Sequence, residues 1–126
     1  MKHKSSLRDI VEDTFRKALS SSFSMEFYRI FVFYMNKSLN KDLFETFLDD
    51  PTYIYNKVEE IYGFGAVFIF KVIYTYIRAK IGLDLSFDSF LDIVKSGDRE
   101  ALRKIFANLS EISRYNDPYI QNRLGG

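Results

Sequence analysis

The sequence predicts a single compact all-α domain, a bundle of six or seven helices, and three observations support this fold class. Apolar residues recur at intervals of three and four along most of the chain, which is the period of an amphipathic helix. Ser, Asp, Gly and Pro stand where such helices would begin and end. No segment shows the alternating pattern of a half-buried strand. Because 126 residues is an ordinary size for one domain, residues 1–126 are expected to fold as one unit.

The first two helices are marked by serine residues and by their apolar periodicity. Ser5 or Ser6 can cap a first amphipathic helix. The serine run at 20–24 is expected to end it, because serine side chains compete for backbone hydrogen bonds. Ser24 then caps a second helix, MEFYRIFVFYMNKSL, which is apolar over most of its circumference and has Arg29 as its one mid-helix charge. We expect this second helix to be largely buried.

Two further helices meet at Asp50 and Pro51. The segment KDLFETFLDD, residues 41–50, has its apolar side chains on one helical face. Asp50 can cap free amides and Pro51 loses no hydrogen bond at the first helical position, so a helix is expected to begin there. Gly63 ends this helix after Tyr62. Its inward-facing residues are predicted to be Ile54, Val58, Ile61 and Tyr62.

The segment IYGFGAVFIFKVIYTYI, from Ile61 to Ile77, could be a membrane span, a glycine-rich ligand loop or the middle of a helical core. A bilayer span needs about 20 apolar residues, and this run is shorter and contains Lys71. Phosphate-binding loops follow a strand and carry more glycines, whereas Gly63 and Gly65 follow a helix. We therefore predict a corner at these glycines and a central apolar helix near residues 66–80, with the second helix packed near it.

The last two helices are delimited by Ser86, Gly97 and Asp98. Ser86 caps a short helix that Gly97 ends, and Asp98 caps a longer one. We expect residues 1–4 to be mobile and residues 115–126 to form an irregular tail. The apolar stripe of the longer helix consists of Ala101, Leu102, Ile105, Phe106, Leu109 and Ile112.

Composition limits the chemistry that the chain can perform. Lys and Arg number 18 against 17 for Asp and Glu, so the net charge of +1 creates no global field for nucleic acid or an acidic membrane. There is no cysteine, and the single histidine is His3 in the N-terminal segment, which disfavours thiolate sites, histidine-based metal sites and catalytic triads. We therefore expect no enzyme activity, no metal and no cofactor. Since the N-terminus is charged and amphipathic, it does not resemble a secretory signal, and we expect a cytoplasmic protein without membrane attachment.

Lys71, Thr75 and Arg78 are the most informative polar residues, because they form a narrow stripe on the most apolar helix. They could face an aromatic-lined pocket and hold an anionic ligand, with Tyr74 or Tyr28 supplying a hydroxyl group. Alternatively they form a solvent-facing edge or an ion pair with a neighbouring carboxylate, which is the interpretation we favour. An acidic site assembled across several helices stays open, because the sequence does not show which helices meet.

The two helices around Gly97 also resemble a helix-turn-helix unit. Arg99, Arg103, Lys104 and Asn108 would line the outer face of its second helix. Acidic residues share that face and would repel phosphates, so a solvated face of mixed charge is favoured over nucleic-acid binding.

Aromatic residues make up 17% of the chain, from 13 Phe and 9 Tyr without Trp. Phe and Tyr can enlarge a core or supply the anchors of an interface. Aromatic excess without a catalytic set favours a non-enzymatic protein-interaction or self-association module, which we expect to be a homodimer. A binder of a small apolar or amphipathic ligand is the alternative, and a DNA binder ranks third.

The segment DDPTYIYNKVEEIYGFGAVFIFKVIYTYI, residues 49–77, resembles the small helical proteins of unknown function found in thermophilic archaea. The features in common are small size, a lack of cysteine, and an abundance of Lys, Ile and Tyr. The resemblance implies a compact, non-enzymatic, uncharacterised type of domain, and it brings no catalytic residues.

Overall fold

Seven helices make up the part of the chain that the structure describes. The structure is a computed structural model that describes the backbone of residues 6–115 and the side chains of residues 6–112. The predicted all-α bundle is confirmed, whereas the expectations for residues 1–4 and 116–126 lie outside the described residues. Tyr115 still belongs to the last helix. The helices are α1 (Leu7–Ser22), α2 (Met25–Leu39), α3 (Leu43–Asp49), α4 (Pro51–Tyr62), α5 (Gly65–Ile81), α6 (Phe87–Ser96) and α7 (Arg99–Tyr115).

Side-chain caps set the starts of most helices. Each cap is a Ser or Asp whose side-chain oxygen accepts a hydrogen bond from an amide in the first turn, which satisfies a group that the helix itself leaves free. At the other ends, Asn40 and Gly97 follow α2 and α6 in the left-handed conformation, at φ 57° and 78°. Most of these boundaries were predicted, but the cap at Asp42 was not. The capping residues are Ser6, Ser24, Asp42, Asp50, Ser86 and Asp98.

The serine run at 20–24 ends α1 as predicted, since the helix continues to Ser22, and Ser21 donates a hydrogen bond to the Lys17 carbonyl. Two other details differ from the sequence-based expectations. The helix α5 begins at Gly65, one residue earlier than predicted. Ile61, predicted to face inward, is 41% exposed, because Tyr55 completes the buried face of α4 in its place.

Phenylalanine side chains form the centre of the core. The ring of Phe15 lies 6.3 Å from that of Phe31 and 5.4 Å from that of Phe47, measured between centroids. Phe47 in turn lies 6.1 Å from Phe70 and 6.2 Å from Phe106. All five side chains are fully buried. One aromatic cluster therefore joins α1, α2, α3, α5 and α7.

The helices α1 and α5 lie at the middle of the bundle. The helix α1 contacts α2, α3, α5 and α7, while α5 contacts α1, α4, α6 and α7. The prediction of a central apolar helix near residues 66–80 is confirmed. The helix α2 packs mainly against α1, α3 and α4, so it lies on the outside of the bundle and not chiefly alongside α5.

An ion pair between Arg8 and Asp42 connects the start of α1 to the start of α3. The Nη2 and Nε groups of Arg8 donate to the two carboxylate oxygens of Asp42 at 2.8 and 3.1 Å. Asp42 also accepts a hydrogen bond from the Glu45 amide at 2.8 Å as the cap of α3. The hydrogen bond from Arg8 lowers the pKa of Asp42, and the same contact raises the pKa of Arg8. Both side chains are partly exposed.

Candidate interaction surface

Exposed apolar side chains are concentrated in two segments of the chain, residues 23–34 and 61–68. Among the large apolar side chains that are exposed in the described part of the chain, only Tyr53 lies outside these segments. We call the remaining set the outer aromatic surface. Its members are Phe23, Met25, Ile30, Phe33, Tyr34, Ile61, Phe64, Val67 and Phe68.

The first part of this surface is the outer side of α2, which is apolar on both sides. Ile30 and Phe33 are 51% and 60% exposed, because α2 contacts the bundle by its opposite side only. The expectation that this helix is largely buried is therefore wrong. The sequence has apolar residues at helical spacing on both faces of α2, a pattern that we interpreted as burial on both sides. The inward-facing residues are Tyr28, Phe31, Met35 and Leu39.

The second part is the corner between α4 and α5. Gly63 follows α4 at φ 58°, and its carbonyl accepts a hydrogen bond from the Ala66 amide at 3.1 Å. This tight reversal projects Phe64 into solvent, where it is 94% exposed. Phe68 follows about one turn later on the same side of α5 and is 66% exposed. The corner predicted from the glycines thus exists, and it presents aromatic side chains.

Phe27 and Tyr62 join the two parts of the surface. The ring centroid of Phe27 lies 4.8 Å from that of Phe23 and 5.9 Å from that of Tyr62. Burial raises the pKa of Tyr62, and the nearby Tyr34 hydroxyl acts in the same direction. The start of α2 and the end of α4 are therefore neighbours, and the outer aromatic surface extends across both.

The exposed area is comparable to one side of a protein interface. The exposed fractions of the five aromatic members add up to about three whole side chains, or roughly 600 Å² at about 200 Å² for each. The largest apolar patch of an ordinary monomer covers about 300–600 Å². A stable interface takes about 800 Å² from each partner, and the four aliphatic members of the surface add further apolar area toward that value.

The residues predicted as a ligand site point in different directions. Lys71, Thr75 and Arg78 are exposed, and the Thr75 hydroxyl donates to the Lys71 carbonyl at 2.8 Å. Tyr74 is buried, and its hydroxyl donates to the Leu85 carbonyl. The first three residues therefore share an exposed stripe, as expected for a solvent-facing edge, while the hydroxyl of Tyr74 is used within the fold.

The side chains of Lys71 and Tyr28, both proposed for the ligand site, have packing partners within the fold. The Nζ atom of Lys71 lies 5.6 Å from the centroid of the Phe87 ring, in a cation–π arrangement. Tyr28 is buried on the inner face of α2, where burial raises the pKa of its hydroxyl. No observation brings Tyr28 to the stripe on α5.

The basic residues considered for DNA binding are partly neutralised by a carboxylate. The Nη2 group of Arg103 donates to Oδ1 of Asp49 at 2.9 Å, and Nη2 of Arg99 lies 4.0 Å from the same oxygen. Lys104 and Asn108 are exposed on the same helix. A carboxylate inside this group weakens its attraction for phosphate.

The acidic side chains near the junction of α3 and α4 have structural partners. Asp42 pairs with Arg8, Asp49 pairs with Arg103, and Asp50 caps α4. The three line a depression of about 200 Å³. Among the described residues, no group of three or more His, Cys, Asp or Glu side chains is arranged to hold a metal ion.

Comparison with protein-family models, with curated proteins and with solved structures finds no match to this chain. The resemblance to small helical archaeal proteins stays a prediction. Within residues 6–115, no helix has both the length and the apolar character needed to cross a bilayer.

Proposed function

We propose that the protein is a non-enzymatic protein-interaction module and that the outer aromatic surface is its docking site. The observation that carries this proposal is the concentration of exposed aromatic side chains on α2 and on the α4–α5 corner. Apolar surface in water is unfavourable by about 25 cal/mol per Å², so a partner that covers it gains stability. Aromatic residues are also enriched in the buried centres of protein interfaces.

Phe33 and Phe64 are suited to act as anchors. Each belongs to a segment of fixed backbone, Phe33 in the middle of α2 and Phe64 between two glycines at a hydrogen-bonded corner. A segment whose backbone is already fixed loses little backbone freedom on binding, which favours affinity. We further propose a cytoplasmic location, which suits a chain without cysteine.

The two other hypotheses have less support. A ligand site on α5 would need a pocket beside Lys71, Thr75 and Arg78, but these side chains are exposed and Tyr74 is held by Leu85. DNA binding would need a free basic face, but Arg99 and Arg103 lie against Asp49.

Site-specific photocrosslinking tests the proposal. We would replace Phe33 or Phe64 with p-benzoylphenylalanine and identify the crosslinked peptide by mass spectrometry. The matched control carries the same probe at Tyr53, which is exposed but lies outside the surface. We expect both surface probes to crosslink one defined polypeptide, which is either this chain or another protein, and the control probe to leave it unlabelled.

A purified pair then supplies the quantitative check. Phe64→Ser should weaken binding of the identified polypeptide at least tenfold, because an aromatic anchor of an interface contributes more than about 1.4 kcal/mol. Tyr53→Ser should leave the affinity unchanged. Equal labelling from all three probe positions, or no labelling from Phe33 and Phe64, would rule out the outer aromatic surface as a docking site.

A further inference from the structure

The outer face of α2 carries four residues in the order Glu26, Ile30, Phe33 and Lys37. They are spaced four, three and four apart, so they lie on one face of the helix, and all four are exposed. This face is opposite the buried side chains of α2. We call these four residues the α2 stripe.

The spacing of the α2 stripe is the same in both directions along the helix, whereas the charges at its two ends are opposite. An acidic residue stands in the first turn of α2, a basic residue stands in its last turn, and two apolar side chains lie between them. When two such helices lie side by side in opposite directions, Glu26 of each faces Lys37 of the other. Ile30 of each then faces Phe33 of the other.

We propose that two copies of this chain pair through the α2 stripe, with their α2 helices antiparallel about a two-fold axis. This pairing rests on the proposed function and names the partner as a second copy. A two-fold contact requires that residue i face residue j while j faces i, and the spacing of the stripe meets this condition at both of its residue pairs.

The charges at the ends of the stripe support a second copy as the occupant. Glu26 and Lys37 form no ion pair with any of the described residues. The Nζ atom of Lys37 instead lies 5.8 Å from the centroid of the Phe33 ring, within the stripe itself. Antiparallel pairing gives each of the two charges an opposite partner.

Parallel pairing is disfavoured by the same residues. It would set Glu26 against Glu26 and Lys37 against Lys37, and like charges in contact across an interface are repulsive. The dipoles of the two helices also interact favourably only when the helices run in opposite directions. The stripe therefore specifies the orientation of the pair as well as its position.

Charge exchange tests this arrangement on the purified chain by sedimentation velocity over a concentration series. We expect the unmodified protein to form a dimer at micromolar concentration. Glu26→Lys alone and Lys37→Glu alone should each weaken it at least tenfold, because each places two pairs of like charges together. The double variant should dimerise like the unmodified protein, and an equimolar mixture of the two single variants should form a heterodimer.

The control is Glu111→Lys, which makes the same change of charge at an exposed position of α7 and should leave dimerisation unchanged. Circular dichroism verifies that each variant is folded. A monomer at every concentration, or a mixture of single variants that fails to associate, overturns the pairing. The proposed function is then tested separately by the probes at Phe33 and Phe64. If the surface docks a different protein, both probes label that protein even though the chain does not pair with itself.

Discussion

Phe68 and Phe70 lie two residues apart on α5, yet one is 66% exposed and the other is fully buried. The same contrast occurs on α2, where Phe31 is buried and Phe33 is exposed. Each helix thus presents one aromatic side to the core and another to solvent. The buried member of each pair is held by rings of other helices, whereas the exposed member adds apolar surface that the described part of the chain leaves uncovered.

Buried and exposed phenylalanines differ in what they contribute. A buried phenylalanine contributes to stability through the area it removes from water and the contacts it fills. An exposed one contributes almost nothing to the stability of the monomer, and under the proposed function it contributes to association instead. Measurements of stability and of association should therefore divide these phenylalanines into two groups.

The largest effect is expected for Phe70→Ala. Its ring lies 6.1 Å from Phe47 and 5.3 Å from Tyr55, so its loss opens a cavity and should lower the free energy of unfolding by about 3–5 kcal/mol. Phe68→Ala is the matched control and should change it by less than about 0.5 kcal/mol. Urea denaturation followed by circular dichroism measures both values. Equal losses of unfolding free energy at the two positions would contradict the assignment of a buried face and an exposed face to α5.

An intermediate effect is expected for Asp42→Ala at the edge of the core. The substitution removes the cap of α3 and the ion pair with Arg8. We expect a loss of about 1–2 kcal/mol at neutral pH, mostly from the cap, because partly exposed ion pairs contribute little. Asp42→Asn keeps a capping side chain and should lose less than Asp42→Ala, since only the charge is removed. If the two variants are equally destabilised, the charge and not the cap is the main contribution.

The pH dependence of the same site has a definite sign. Arg8 lowers the pKa of Asp42 in the folded protein, so the ionised carboxylate stabilises the fold above its ordinary pKa of about 4. This contribution is lost as the pH falls through the lowered pKa. The difference in unfolding free energy between the unmodified protein and Asp42→Asn should therefore shrink between pH 7 and pH 3. A difference that grows on acidification would mean that Asp42 is not stabilised in its charged form.

The smallest effect is expected for Arg78→Ala, on the polar part of the outer face of α5. The side chain is exposed, so the change in unfolding free energy should stay within about 0.5 kcal/mol. Dodecanoate, a probe for an anionic amphipathic ligand, should leave the melting temperature of the unmodified protein unchanged. A thermal shift that Arg78→Ala abolishes would instead support the ligand-binding hypothesis, because binding stabilises the folded state. A loss of about 3–5 kcal/mol would indicate a buried ion pair.

Most of the fold could be predicted because its boundaries are local chemistry. Ser24, Asp50 and Ser86 cap helices by accepting hydrogen bonds from amides three residues further along the chain, and such contacts are encoded by neighbouring residues alone. The amphipathic period of α7 was sufficient to identify its buried face, since Leu102, Ile105, Phe106 and Leu109 of the predicted stripe are buried. The cap at Asp42 is equally local, since the Glu45 amide donates to it, and we overlooked this signal in the sequence; only its ion pair with Arg8 depends on tertiary packing.

The candidate surface could not be predicted because α2 is apolar on both sides. Hydrophobic periodicity distinguishes a core face from a solvent face only when the two differ in polarity. Phe31 and Phe33 are the same residue type, so their different exposures depend on which helices lie next to α2. Those contacts are decided by tertiary packing, and the sequence showed neither them nor the uncovered side that results.

The position of α1 also bears on how the chain folds. This helix contacts two helices that are close to it in the sequence, α2 and α3, and two distant ones, α5 and α7. Its apolar face is therefore complete only when α5 and α7 have packed against it. Since contacts between distant segments cost more chain entropy than local ones, we expect a segment that contains only α1 to α4 to leave part of this face exposed and to be less stable than residues 6–115 together.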